Sequence, residues 1–203
     1  MVIKTGILCV PAYDEAAVSA VRRLLASAAP GCIVLLDHSV PMQRHLVEEV
    51  LRRWADEDEL DLIVTLGGTL PAPGPSGREI MPDATQAVAE RLLPGLPETM
   101  RALAQEAAPL AILDRSVAAI RGRTLILNLP AGAAAATLFL ESIVEVIPTV
   151  AALLQEYPPA LRIVDEEEMG ESGPEPTTTA AAPSAGKRAL DAAEFAAFLA
   201  RKQ

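Results

Sequence analysis

The chain has 203 residues, 51% hydrophobic and 3% aromatic, with a formal charge of -10 at neutral pH and a pI near 4.7. That length and apolar content suffice for one well-buried core plus a tail, and the acidic balance excludes a nucleic-acid binder, which needs clustered cations to neutralise phosphates. So few aromatics leave little for single-stranded bases to stack on, whereas a small anion held by main-chain amides stays open.

In chain order, "IKTGILCV" reads as a strand, Asp14 to Ala28 as a helix, "CIVLLD" as a strand, Gln43 to Asp56 as a helix and "LDLIVTL" as a strand. Such alternation predicts βαβ crossovers, an α/β class and a mainly parallel sheet covered by helices on both faces. "PDATQAVAERLL" and "LPETMRALAQEA" follow as helices. "LAILDRSVAAIRGRTLILNLP" reads as two or three strands, with Gly122 in a turn, and Ala133 to Gln155 as a helix that Pro148 breaks or kinks near its middle.

From about Asp165 the run "DEEEMGESGPEPTTTAAAPSAGK" has almost nothing to bury, and its composition predicts a disordered linker. Beyond it, Ala192, Phe195, Ala196 and Leu199 fall on one narrow helical face, of a helix that docks back on the domain, frays or binds a partner. The expected division is a domain over 1–160, a linker over 161–187 and an amphipathic helix over 188–203.

Cys9 and Cys32 each lie in an apolar run without metal-ligand spacing and are expected as buried free thiols of a reducing compartment. The apolar part of "MVIKTGILCVP" is too short for a signal peptide, and no apolar run reaches the roughly 20 residues that span a bilayer. A cytoplasmic protein with no membrane or nucleic-acid partner is expected. His38 and His45 have no cysteine or carboxylate at zinc-ligand spacing, and no serine sits in a G-x-S-x-G elbow.

The loop after "LDLIVTL" offers the first chemical signal. Open α/β sheets bind ligands at the carboxyl ends of their strands, where Gly67-Gly68-Thr69 falls. Glycines admit positive φ and close approach, consecutive N–H groups can then converge on an anion, and the Thr69 hydroxyl can add a donor. A tight structural turn is the alternative reading. The loop is neither a GxGxxG fingerprint nor a Walker loop.

The ordered set "DLIVTLGGT", "MPDATQAV", "LLPGLPETMR", "PLAILDRSVAAIRGRTLILNLPAG" and "IPTVAALLQE" resembles the molybdopterin adenylyltransferase family, the Mog and MoaB type domain of molybdenum cofactor synthesis. The match runs roughly from Lys4 to Glu156 and is strongest from Leu62 to Pro130. It implies a three-layer αβα fold, usually a homotrimer, that binds molybdopterin and adenylylates its phosphate with ATP and Mg²⁺, together with a molybdenum-insertion partner protein. It places Gly67, Gly68 and Thr69 in the pterin-phosphate loop and Pro82, Asp83 and Thr85 at the following helix start. It puts Arg115 on a later strand and Asn128, Leu129 and Pro130 in a second ligand-facing loop, with Glu79 as metal ligand and, with Asp83, catalytic carboxylate. Read without the resemblance, Asp83 is equally a helix cap, Arg115 a surface ion pair, and Asn128 a partner for loop amides.

The chain departs from this pattern at several positions. "VPAYDEA" stands where the family has a serine, aspartate and arginine motif, and Met42 replaces an aspartate that follows a proline. A thioether is a poor ligand for a hard cation; Asp37 or Glu48 lies near in sequence but not at the matching position. Glu79 stands for an aspartate, Leu70 for a glycine, Asp114 for a serine before Arg115, and Ala131 for the glycine after "NLP". Two readings stay open: an adenylyltransferase with altered carboxylates, or a molybdopterin-binding or scaffold protein without nucleotidyl transfer.

Overall fold

The computed structural model describes residues 1–72, 74 and 80–156, so the expected linker, C-terminal helix and Glu79 lie outside the described residues. The elements are β1 (Ile3–Cys9), α1 (Glu15–Ala28), β2 (Cys32–Ser39), α2 (Arg44–Asp56), β3 (Leu62–Leu66), α3 (Ile80–Val88) and β4 (Arg91–Leu92). Then come α4 (Gly95–Ala107), a 3-10 turn (Pro109–Leu113), β5 (Ala118–Arg121), β6 (Thr124–Leu129), α5 (Ala133–Glu141), a second 3-10 turn (Val144–Val146) and α6 (Ile147–Leu154).

The strands form one six-stranded sheet in the order β2-β1-β3-β6-β5-β4. β2, β1, β3 and β6 are parallel, and β5 runs antiparallel to both β6 and β4. Period-two alternation in the central strands feeds two cores. Ile7 and Cys9, Leu62, Val64 and Leu66, and Leu125, Leu127 and Leu129 pack with α1, α4, α5 and α6. Leu8, Ile63 and Ile126 point the other way, into a smaller core closed by Val47, Leu51 and Trp54 of α2 and by Met81, Ala84 and Val88 of α3. The expected three-layer αβα architecture with a mainly parallel sheet is therefore present.

Local chemistry sets several boundaries. Asp14 caps α1, its Oδ1 accepting the Ala17 amide at 2.9 Å. Pro148 sits in the first turn of α6, where its missing N–H costs nothing, so the predicted long helix parts just before it, at Ser142–Val146. Arg115 precedes β5 instead of lying on a strand, and Asn128 and Leu129 are buried residues of β6 rather than part of a ligand-facing loop, which leaves Pro130 alone beyond the strand end. Two secondary-structure expectations also need correction. The predicted helix through "ERLL" stops at Val88, because Glu90 and Leu93 donate their amides to Ile120 and Ala118 and Arg91–Leu92 becomes an edge strand. "LAIL" is a 3-10 turn started by Pro109 rather than a strand.

Among the described residues, no single helix is long and apolar enough to cross a membrane; Ala133–Glu141 and Val144–Leu154 reach that length and composition only as a pair bent by 58°.

Candidate functional site

The carboxyl ends of β1, β3 and β6 are laced together by main-chain bonds from Val10 N to Leu66 O (2.9 Å) and from Gly67 N to Leu129 O (3.0 Å). At this junction the chain leaves β3 through two left-handed residues, Gly67 at φ +96° and Gly68 at φ +70°. A Cβ on Gly67 would lie 2.2 Å from the Val10 carbonyl oxygen, so no larger residue fits. Gly68 faces the start of α3, where an added Cβ would stand 3.4 Å from Met81 Cβ. Among the described residues, the N–H groups of Gly68 and Thr69 donate to no protein acceptor.

Thr69 is buried and anchors the turn to the segment before β5. Its carbonyl accepts the Arg115 amide at 2.9 Å, and its hydroxyl donates a short bond to Asp114 Oδ2. The hydroxyl hydrogen that the sequence offered to a ligand is thus engaged within the protein. Asp114, only 4% exposed, turns inward and accepts the Ser116 amide on Oδ1 at 2.8 Å, while Arg101 Nη1 reaches the carbonyls of Asp114 and Ser116 at 3.4 and 3.2 Å. Among the described residues, the buried Ser116 hydroxyl is the one buried side-chain polar atom without a hydrogen-bond partner.

Asn128 lies opposite Thr65 in the β3–β6 register and is fully buried. Its amide nitrogen donates to the hydroxyls of Thr65 and Thr85 at 2.9 Å each, and its Oδ1 accepts the Val117 amide at 3.3 Å. The side chain therefore ties β3, β6, α3 and the approach to β5 together and works from beneath the cleft. Thr85 is buried on the same knot, and Pro82 is buried in α3. Asp83, in the first turn of α3, remains half-exposed and pairs with Arg115 at 3.5 Å.

The structure thus gathers Gly67, Gly68, Thr69, Asp83 and Arg115 around one loop and sets Thr85 and Asn128 below it. Pro130 ends β6 beside them and lines an apolar cleft of about 360 Å³ with Leu70, Ala131, Leu138 and Phe139. A second depression of about 340 Å³, formed by Val10 to Glu15 with Leu66, meets the first at Ala131. Cavities of about 560 and 400 Å³ lie around the Gly122–Arg123 turn at the opposite end of the sheet, away from these loops. Sequence reading missed one participant and the direction of another. Thr65, a lone polar residue in "LIVTL", was a signal in itself; the inward direction of Asp114 depends on a contact 45 residues away.

The carboxylates near the Met42 position are held elsewhere. Asp37 pairs with Arg22, and Glu48 is gripped by Arg44 at 2.6 Å and Arg52 at 2.9 Å, which hold its carboxyl below the usual range. Met42 itself is 41% exposed. Among the described residues, no group of three histidine, cysteine or acidic side chains is arranged to hold a metal. Both cysteines are free; Cys9 is buried as expected, Cys32 only partly, and burial raises both thiol pKa values.

The family described as "Probable molybdopterin binding domain" matches residues 9–152. Molybdopterin adenylyltransferase of Escherichia coli K12 is 39% identical over 118 residues, 58% of each chain, so the chain spans less than two thirds of that relative. The Helicobacter pylori 26695 protein of the same name is 35% identical over 136 residues, covering 67% of this chain and 75% of the relative. Among solved structures, the molybdopterin biosynthesis enzyme MoaB from Thermus thermophilus superposes with a TM-score of 0.68 at 37% identity, covering 77% of this chain and 98% of that one. The Mog protein of Mycobacterium ulcerans gives a TM-score of 0.66 at 25% identity, covering 77% and 99%. By fold, by the glycine turn at the ends of its central strands and by these matches, the chain belongs to the molybdopterin-binding domain family.

Proposed function

We propose that this chain binds molybdopterin for molybdenum cofactor synthesis, with the pterin phosphate on the Gly67–Thr69 turn and the pterin body in the adjoining cleft. The observation that carries this reading is the pair of main-chain donors, on Gly68 and Thr69, that the left-handed turn leaves without a protein acceptor among the described residues. Such a nest holds an anion by fixed dipoles without burying a counter-charge. Arg115 and Asp83 stand at its rim, the arginine to attract the phosphate and the carboxylate to orient the arginine. Pro82, Thr85, Asn128 and Pro130 shape the walls and floor.

Adenylyl transfer is the further step that the named relatives suggest. Magnesium would have to be held by oxygen ligands. The described donor set does not supply them: Asp83 is paired, Asp114 is engaged by Thr69 and Ser116, and a thioether occupies position 42. A transferring enzyme would depend on Glu79. The specific presence of Met42 favours a second reading, a binding protein without nucleotidyl transfer.

Self-association into a trimer belongs to the same proposal, supported by the exposed aliphatic side chains of Leu103, Leu110, Ile112 and Leu113. A cytoplasmic setting is supported by the two free thiols. Anaerobic calorimetric titration with molybdopterin, then with Mg-ATP, tests the reading, with sedimentation of the same sample. Saturable pterin binding is expected; absence of pterin binding by a folded chain overturns it.

A further inference from the structure

Asp114 is a carboxylate set into a cleft otherwise lined by aliphatic, proline and phenylalanine side chains, and both of its oxygens are engaged. Oδ2 takes the Thr69 hydroxyl hydrogen and Oδ1 takes the Ser116 amide. The next residue, Arg115, bonds the Thr69 carbonyl through its own amide, so the turn is clasped at two points by consecutive residues. The clasp has two chemical consequences. A hydroxyl that donates to a carboxylate cannot donate the same hydrogen to a phosphate, so the turn offers main-chain amides alone. A buried negative charge also stands one hydrogen bond behind a turn that would hold an anion. Arg101, on the carbonyls of Asp114 and Ser116, and Arg115, paired with Asp83, offset that charge in part.

We infer that Asp114 is a positioning and specificity-determining residue of the phosphate turn: through Thr69 it fixes the turn and withdraws its hydroxyl donor, and its charge lowers the turn's affinity for a phosphate monoester. The inference rests on the reading that this turn holds the pterin phosphate. A phosphate monoester carries a charge of about -1.5 to -2 at pH 7, and weak screening in a buried setting lets one fixed charge act over several ångströms. Asp114→Asn keeps the shape of the side chain. Its oxygen still accepts the Ser116 amide, while its new N–H donates to Thr69 Oγ1 and turns the threonine hydrogen toward the cleft. Asp114→Ser removes the charge with a smaller side chain.

The test is anaerobic titration of the native chain, Asp114→Asn and Asp114→Ser with molybdopterin and with a dephosphorylated pterin, alongside melting curves. Both neutral variants should bind molybdopterin on the order of tenfold more tightly, with no gain for the dephosphorylated ligand. A merely structural residue would not produce that selectivity. Native or weaker affinity in the folded variants overturns the inference, as does an equal gain for both ligands, and either result leaves the binding reading standing if the native chain binds molybdopterin. Failure of all three proteins to bind either pterin removes the binding reading and this inference with it. Should Asp114→Ser lose its fold, Asp114→Asn, equal in size, decides alone.

Discussion

Asn128 and Thr85 are joined by a 2.9 Å hydrogen bond that fastens the last central strand to the helix carrying Asp83. The same amide holds Thr65, so the face of the site is set from below by side chains that touch no solvent. Asn128→Ala removes the bonds to Thr65, Thr85 and Val117. At about 1 kcal/mol net for each bond, the loss is on the order of 3 kcal/mol, which lowers Tm by roughly 6 to 12 °C in a chain of this size. Thr85→Val, which breaks one bond, should cost about a third as much. Scanning calorimetry of the two variants checks the order, and an unchanged Tm for Asn128→Ala would contradict the knot.

The two glycines of the turn differ in what they tolerate. Gly67→Ala drives a Cβ into the Val10 carbonyl at 2.2 Å and should prevent the strand ends from closing, seen as poor soluble yield or a molten melting curve. Gly68→Ala meets only Met81 at contact distance, so its cost is the left-handed backbone alone, about 1 to 2 kcal/mol. Equal stability of the two variants would contradict the geometry.

The regular part of this fold was legible because its cause is local. Apolar runs such as "GILC" and "LIVTL" cannot avoid a buried sheet, Asp14 is a helix cap wherever it precedes such a pattern, and Gly67-Gly68 marks a left-handed turn. What failed was decided by remote partners. Arg91 and Leu92 continue a helical pattern but are captured by β5, an edge that exists only after the chain has folded back on itself. Likewise, the sequence sets Asp114 beside Arg115, but only the bond from Thr69 shows that its carboxylate faces the turn. Thr69 could be placed at the site from sequence, but not which way its hydroxyl points.

Glu48, bracketed on α2 by Arg44 and Arg52, has its pKa lowered first by the bond to Arg44 and then by the bond to Arg52. A carboxylate with a depressed folded pKa contributes stability that is complete above its unfolded value, about 4.3, and is lost as pH falls through the folded one. Each exposed helical pair is worth only about 0.3 to 0.5 kcal/mol. Glu48→Gln should therefore lower stability by less than about 1 kcal/mol at pH 7, and the difference should shrink as pH falls below about 4.3 toward the folded value, and also in high salt. Urea titrations of both proteins at pH 7 and pH 3 measure it; a gap that widens in acid would reverse the assignment.

Substitutions at positions 42 and 79 test whether the chain is a nucleotidyltransferase or a binding protein. Met42 is exposed on the connection between β2 and α2, where the sequence resemblance implies an aspartate, and its thioether offers a hard cation nothing. If transfer survives, it depends on Glu79, and Glu79→Gln, which keeps the size and removes the charge, should abolish AMP transfer while leaving pterin affinity within about twofold, since phosphoryl-type transfer depends chiefly on positioning and charge stabilisation. Met42→Asp should act in the opposite sense. A regained carboxylate on an exposed loop disturbs no core packing, and an added oxygen ligand should raise ATP-dependent adenylylation by about tenfold or more if the metal is what limits the native chain. The measurement is AMP incorporation into molybdopterin by the native chain, Glu79→Gln and Met42→Asp at fixed Mg-ATP. Native activity indifferent to Glu79→Gln would remove Glu79 from the metal site, whereas tight pterin binding with no transfer in any of the three would establish a binding protein on an enzyme's fold.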